Sequence, residues 1–468
     1  MDTRISRLTL VGWALVLTVP PLGYALALAA GFSVQASIFG ALMLATGLLW
    51  VLSLVPEFAA ALVPVIGALF VGLAPPRVAL SGFASPSMVL LVGVFALSAT
   101  ISTSGLSHRL ILNVLLRLPD RPLWHRLALL GSGYALSPMV PSANSRISLL
   151  KPPFQNMVEA LQLPTGGAGV TGLLAALFGG SVLFGPMMST SKSSNIAALA
   201  LLPAQLQSEF NGLFWLVAAL VSVGVITAAH LLLSARLFPS HGQPPLPRRE
   251  LRHTLTAMGP LSAAEWTASA GFLLFIGGSA TVGWHHLSPP YLAGCVLLAL
   301  LLGGAMQRQD FRGAIDWPQI CFLLSLDCMV KIMDHLGLQQ AFAHAVREDF
   351  DVVHGNTLLF IVAALLVTQA ARLVLPVTAG ALSATVILLP VAAAQAINPW
   401  IAVFCAAMFT DIAFFRYQGS NGMLQLYSDG LVDGVNERRF LLYNHWMNGA
   451  RVVAVVASIP WWQALGLI

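Results

Sequence analysis

Small polar residues, next to prolines and glycines, interrupt four strongly apolar stretches of the chain. These interruptions are the places where the protein could bind a solute or react with it. They are Ser142, Asn144 and Ser145 within 137–152, Ser194 and Asn195 within 185–195, Thr378 within 375–380, and Ser420 and Asn421 within 416–422. An interrupted helix presents free N–H groups at one half-helix end, which attract anions. Its carbonyl ends can hold a small cation. The four interruptions therefore predict a binding site for a small charged solute.

Four basic residues lie beside these interruptions, namely Arg146, Lys192, Arg372 and Arg416. Cationic side chains within apolar segments are costly and usually mark function. One hypothesis is that they supply the positive charge that a bound sodium ion would otherwise supply. The alternative is that they snorkel to the interface or pair with Asp327, Asp334 or Asp411.

The composition excludes a soluble domain. Of the 468 residues, 57% are hydrophobic and 9% are charged, whereas soluble domains carry about 25% charged residues. The four cysteines lie in apolar segments without metal-ligand spacing, so no metal or cofactor is expected. The formal net charge of +5 is assigned to loops between membrane segments, and no nucleic-acid surface is predicted.

Apolar windows of about 20 residues predict about 11 membrane spans in an all-α polytopic protein. They are 9–30, 34–54, 57–74, 87–105, 170–203 (broken), 211–235, 264–284, 291–305, 318–336, 398–427 (broken) and 441–466. The interval 127–162 contains two apolar runs, each too short to cross a bilayer singly, and the interval 357–395 is interpreted in the same way as a segment that enters and returns. They are predicted to be re-entrant hairpins, whose tips must be buried in protein or line a wet cavity.

The basic residues orient these spans. With a cytoplasmic N-terminus, the predicted outer loops hold only Arg77 and Arg347, and the inner segments hold most of the others. This asymmetry follows the positive-inside rule. The chain is therefore expected in the plasma (inner) membrane with its N-terminus in the cytoplasm, and the first span is expected to be retained rather than cleaved.

The two halves repeat one order of elements. Gly105 pairs with Gly337, Pro152 with Pro390 and Asn195 with Asn421, at separations of 232, 238 and 226 residues. On the predicted topology the copies are inverted, a pattern typical of secondary transporters that bind cargo at the repeat interface. The predicted division is scaffold spans 1–80, repeat 1 at 81–237, a cytoplasmic linker at 238–263 and repeat 2 at 264–468.

This arrangement resembles the divalent anion–sodium symporter family of dicarboxylate, citrate and sulfate carriers, from roughly Gly82 to the C-terminus. The segments that carry the resemblance are Ser142-Ala-Asn-Ser145, Val377-Thr-Ala379, Lys192-Ser-Ser-Asn195, Gly419-Ser-Asn421, Tyr417-Gln418, Gly259-Pro-Leu-Ser-Ala-Ala-Glu265 and Trp317. The resemblance implies a homodimer, a fixed scaffold and a transport domain that moves like an elevator. It also implies two sodium sites at the hairpin tips, but the second tip lacks the family's asparagine and the first has an inserted alanine.

The predicted function is secondary active transport of a small anion, with a di- or tricarboxylate first and sulfate second, coupled to Na⁺ or H⁺ or run as exchange. The alternative within the same superfamily is an arsenite or sodium/proton antiporter. An intramembrane enzyme is disfavoured because no histidine lies in a tip or break. A channel would not require two opposed hairpins. Substrate identity, stoichiometry and direction of flux are left open by the sequence.

Overall fold

The computed structural model describes residues 7–52, 54–164, 167–210, 213–239, 248–338, 356–375, 377–414 and 436–468, and within them every regular element is helical. The helices are α1 Arg7–Ala29, α2 Val34–Val51, α3 Glu57–Val71, α4 Pro76–Ala79, α5 Pro86–Thr103, α6 Leu106–Arg117, α7 Pro122–Leu136, α8 Ala143–Ala160, α9 Ala168–Val182, α10 Ser193–Ala200, α11 Ala204–Glu209, α12 Leu213–Ala218, α13 Leu220–Leu237, α14 Arg248–Ala257, α15 Ala263–Ala280, α16 Val282–His285, α17 Pro289–Leu302, α18 Arg308–Gly313, α19 Trp317–His335, α20 Thr357–Val374, α21 Val377–Ala394, α22 Pro399–Phe409, α23 Glu437–Ala457 and α24 Ile459–Ala464.

Many of these helices are apolar enough to lie in a bilayer. Six described segments have the length and composition to cross it: Thr9–Ala29, Val34–Val51, Pro86–Thr103, Ala168–Met187, Leu220–Leu237 and Val377–Ala394. Four shorter apolar helices accompany them. The prediction of an all-helical membrane protein is confirmed. The number of spans and the inverted repeat stay predictions.

The first predicted hairpin consists of α7 and α8, which pack against each other and are joined by a short turn. Its first limb lies very close to α9: a Cβ atom added to Gly133 would lie 2.3 Å from the carbonyl carbon of Gly180. Only a residue without a side chain allows this approach. The hairpin is therefore fixed directly against the first broken helix.

The second predicted hairpin consists of α20 and α21, also packed together. Asn356 begins it by accepting hydrogen bonds from the N–H groups of Leu358 and Leu359. The first limb ends at Val374 and the second begins at Val377. Val377–Ala394 is long enough to span a membrane, and the re-entrant character of this helix pair stays a prediction.

The paired glycines of the predicted repeat have matching conformations. Gly105 and Gly337 lie two residues beyond the last residues of α5 and α19, with φ of 84° and 69°. This left-handed conformation after a helix C-terminus favours glycine. The two positions thus end their helices in the same way.

An aromatic cluster supports the first turn of α22, which is the described part of the second predicted broken helix. Trp400 stacks on Phe210 and Phe404 at ring-centroid distances of 4.9 Å and meets Trp462 edge-on. The indole of Trp462 donates to the carbonyl of Ala218. Because large aromatic surfaces are buried on all sides, this end of α22 is held rigidly.

Polar contacts join α13 to the last long helix, α23. The Ser222 hydroxyl lies 2.8 Å from the Ser458 hydroxyl, and His230 Nδ1 lies 2.6 Å from the Tyr443 hydroxyl. Both pairs are buried, so each satisfies groups that lipid could not.

Candidate substrate and ion site

The first broken helix is interrupted where the sequence predicted. After α9 ends at Val182, two short 3-10 turns, Gly185–Met187 and Ser189–Ser191, precede α10. Met188 and Lys192 are extended, with φ of −138° and −137°, so the helical hydrogen-bond ladder cannot continue through them. We call the segment from Leu183 to Lys192 the first break.

Asn195 holds the first break in shape. Its side-chain amide donates to the carbonyls of Gly185 and Met188, both at 2.9 Å. Its Oδ1 atom is buried and has no hydrogen-bond partner within the described residues. The amide therefore fixes the turns with its nitrogen and presents its oxygen as an unused acceptor.

Other buried polar atoms near the two broken helices also have no hydrogen-bond partner within the described part of the chain. They are the hydroxyls of Ser181, Ser189, Thr190, Ser191 and Thr410, and Oδ2 of Asp411. Native proteins leave few such groups, and each calls for an explanation such as an ion, water or ligand. Their concentration here marks a polar centre. Ser189, Thr190 and Ser191 were not among the predicted site residues, although they lie in the interruption that the sequence showed.

Arg146 is fully buried and binds the carbonyl end of α9. It donates from Nε and Nη2 to the carbonyl of Ser181 at 2.9 and 2.6 Å, and from Nη1 to those of Ser191 at 2.7 Å and Val140. The last carbonyls of a helix carry partial negative charge and lack helical partners. The guanidinium therefore occupies a nest of oxygens of the kind that binds a small cation.

Arg372 makes the corresponding contacts beside the second broken helix. It is buried, and it donates from Nε to the carbonyl of Thr410 at 3.1 Å and from Nη1 to that of Leu375 at 2.9 Å. Thr410 follows the last residue of α22 directly. A guanidinium from each hairpin thus binds the carbonyl end of the adjacent broken helix.

Lys192 joins the first break to the second broken helix. Its Nζ lies 2.7 Å from Oδ1 of Asp411, and the two side chains are 11% and 7% exposed. The pairing alternative that the sequence left open for Lys192 is therefore the observed arrangement. Asp327 instead pairs with Lys331 within one helix, at 2.9 Å.

A further buried cation, Arg451, was missed as a site residue. It is 2% exposed, donates to Oδ1 of Asn448 at 3.0 Å and interacts electrostatically with Asp411 and Lys192. Asn448 in turn donates to the carbonyl of Ala413 at 2.9 Å. A lone arginine in the last apolar span was the available signal.

The predicted hairpin-tip residues have the following places. Ser142 is the N-cap of α8, accepting from the N–H of Ser145, and the half-buried Asn144 lies between them. The carbonyl of Pro141 accepts from the N–H of Ser193, which joins the tip to the first break. Ser194 is buried in α10.

Thr378 is half-buried in the first turn of α21, a helix that packs against α10. The elements that carry the first tip, the first break and the second tip are therefore in contact. The predicted residues Arg416, Ser420 and Asn421 lie outside the described residues.

An interrupted helix, buried cations and unused acceptors thus form the polar centre of an all-helical membrane protein. The chain belongs to the sodium:sulfate symporter transmembrane family, whose pattern matches residues 8–468. By its description, this is a family of sodium:sulfate symporters.

Two curated relatives are similar to part of the chain. A protein of Cupriavidus necator named "Membrane protein" is 23% identical over 291 residues, which cover 60% of this chain and 56% of that protein. A protein of Bacillus subtilis strain 168 named "Putative malate transporter YflS" is 24% identical over 282 residues, covering 57% and 58%. The chain thus matches less than two thirds of the length of either relative.

The fold is similar to that of the Alcanivorax borkumensis YdaH transporter, described as having an unusual topology. The TM-score is 0.52 at 15% identity, covering 86% of this chain and 89% of the other. At this identity the likeness concerns the fold alone.

Proposed function

We propose that this chain is an elevator-type secondary carrier for a small multivalent anion, with a di- or tricarboxylate favoured over sulfate. The observation that carries the proposal is the charge of the polar centre. Arg146, Arg372 and Arg451 are buried there, the side chain of Lys192 is 11% exposed, and Asp411, at 7%, is the carboxylate described among them. Excess positive charge away from water favours binding of an anion over a cation.

The proposed substrate contacts are the predicted tip and break residues together with the hydroxyls that lack partners. Hydroxyl and amide groups near half-helix N-termini can surround a carboxylate without carrying a formal charge themselves. The name of the Bacillus subtilis relative supports a dicarboxylate such as malate. Because hydroxyl and amide groups suit sulfate equally well, sulfate is retained as the second substrate.

Arg146 and Arg372 are proposed to replace bound sodium at the hairpin tips. Each guanidinium lies on carbonyl oxygens at the C-terminal end of a broken helix, where a cation is electrostatically favourable. A cation fixed covalently to the hairpin cannot dissociate. Transport is therefore expected to require little or no sodium.

The proposed arrangement in the membrane follows the sequence predictions. The N-terminus is cytoplasmic, the two repeats are inverted, and a scaffold formed by the domain 1–80 and further spans mediates a homodimer. The two hairpins and the two broken helices move together as the transport domain. The bidentate pair of Arg109 and Glu265, at 2.7 and 3.1 Å, would fix the scaffold helices on either side of the linker.

Uptake into proteoliposomes tests the proposal. Labelled malate, citrate and sulfate are offered with an inward sodium gradient and with choline in its place. We expect uptake of at least one dianion, similar in the two salts. The Asn195→Ala variant should fold yet lose uptake, since the first break loses its two amide hydrogen bonds. If none of the three anions enters the proteoliposomes and none reduces the uptake of another, anion transport is refuted.

A further inference from the structure

The ion pair between Lys192 and Asp411 joins residues 219 positions apart in the chain. Lys192 is the residue before α10, and Asp411 is the second residue after α22. The pair therefore bridges the two broken helices at the polar centre. A pair that only neutralised charge within one segment, such as Asp327 with Lys331, would not have this position.

The carboxylate of Asp411 is only half used. Lys192 occupies Oδ1, whereas Oδ2 is buried and has no hydrogen-bond partner within the described residues. A buried acceptor without a partner is destabilising, and a proton placed on Oδ2 would cancel the negative charge. The second oxygen of Asp411 is thus a place where a proton can be held.

Within the described residues, four cations from four different elements lie around Asp411, and Glu57 of α3 acts electrostatically on one of them, Arg372. Lys192 comes from the first break, Arg146 from the first hairpin, Arg451 from the last long helix and Arg372 from the second hairpin, on the carbonyl of the preceding Thr410. An anion that enters the polar centre competes with Asp411 for Lys192 and repels the carboxylate of Asp411.

We propose that Asp411 carries a proton coupled to the anion, and that Lys192 exchanges its partner from Asp411 to the substrate during each cycle. This inference rests on the proposed function. The incoming anion takes the ammonium of Lys192, and a proton from the same aqueous side binds Oδ2 of Asp411, which removes the repulsion. On the other side the anion leaves, the proton returns to water and the ion pair forms again; no covalent bond other than O–H is made or broken.

Gly185 allows this exchange of partners. A Cβ atom there would lie 2.9 Å from Cδ of Lys192 and 3.7 Å from Nη2 of Arg146. A side chain at residue 185 would therefore collide with the stem of Lys192, and glycine leaves room for this stem.

The linkage is reciprocal. If the anion favours proton binding, the proton must favour anion binding by the same factor. Coupling energies between sites usually correspond to factors of about 5 to 150. Lowering the pH should therefore tighten dianion binding to the wild-type protein.

The experiment follows protons and anions together. Proteoliposomes containing the pH dye pyranine receive labelled malate at zero membrane potential, and acidification of the lumen is compared with uptake. The wild-type protein should acidify the lumen in proportion to uptake. Asp411→Asn should lose the acidification that accompanies each malate taken up, whereas the matched control Asp327→Asn should keep both uptake and acidification.

The outcomes separate this inference from the proposed function. Malate uptake without acidification by the wild-type protein would overturn the proton role while leaving anion transport intact, and this result does not depend on any variant folding. If the Asp411→Asn variant still acidifies the lumen, another group carries the proton and the assignment to Asp411 is refuted. Lys192→Gln should weaken malate binding at least tenfold at pH 6, and unchanged binding would refute the exchange of partners.

Discussion

Replacement of Arg146 by alanine tests whether this guanidinium occupies the place of an ion. The substitution removes the hydrogen bonds to the carbonyls of Ser181, Ser191 and Val140. Hydrogen bonds to charged groups contribute about 1.5 to 3 kcal/mol each, so three acceptors represent about 4 to 9 kcal/mol. Relief from burying the charge offsets several kcal/mol, which leaves a net loss of about 2 to 4 kcal/mol.

Sodium should restore part of this loss in Arg146→Ala. Without the guanidinium, the carbonyl oxygens of Ser181, Ser191 and Val140 are left as ligands of the kind that Na⁺ takes. A sodium concentration about 100 times its Kd would restore about 2.7 kcal/mol of folding stability. The assay is the thermal unfolding midpoint in detergent, titrated with sodium chloride or choline chloride. The variant is expected to gain several degrees with sodium alone, whereas the wild-type midpoint should not depend on the cation.

Arg126→Ala is the matched control for this prediction. Arg126 is a buried arginine of the same hairpin that also binds helix-end carbonyls, those of Ser234 and Phe238, but away from the polar centre. Its loss should destabilise the protein without a sodium-dependent recovery. If Arg146→Ala responds equally to sodium and choline, the assignment of the guanidinium as a tethered cation is refuted.

Two further predictions concern the framework of the site. Glu265→Gln weakens the pair with the partly exposed Arg109 and should cost about 1 kcal/mol, lowering the unfolding midpoint while the KM for the anion stays unchanged; a shifted KM would place this pair in the transport cycle. Gly133→Ala places a methyl group against the backbone of Gly180 and should reduce folded yield sharply, as measured by size-exclusion chromatography. Gly131→Ala, with open space around its Cβ position, should behave as the wild-type protein, and equal yields of the two variants would contradict the observed packing.

The sequence predicted most of the helices because bilayer physics constrains them strongly. Apolar runs predicted hairpins at 127–162 and 357–395; the structure has one helix pair within the second interval, and the first pair begins earlier than predicted, at Pro122. The break before Asn195 was also predictable, since Gly185-Pro186 and extended residues cannot continue a helix. By contrast, the sequence assigned Asn195 to substrate binding, and the structure shows that its amide nitrogen also holds the break together.

The partners of the buried charges could not be read from the sequence. Lys192 had three candidate aspartates, and only the packing of the two broken helices selects Asp411. Arg451 lies in a segment that otherwise reads as an ordinary apolar span. Contacts between residues more than 200 positions apart depend on how helices pack, and apolar periodicity does not encode that packing.

The sequence by itself determined that this chain is an all-helical membrane protein with interrupted helices and costly buried cations, because a bilayer admits few other ways to satisfy the backbone. The tertiary structure alone decided which oxygen each cation binds. Arg146 and Arg372 bind helix-end carbonyls while Lys192 binds a carboxylate, since these choices depend on distances of a few ångströms between segments far apart in the chain.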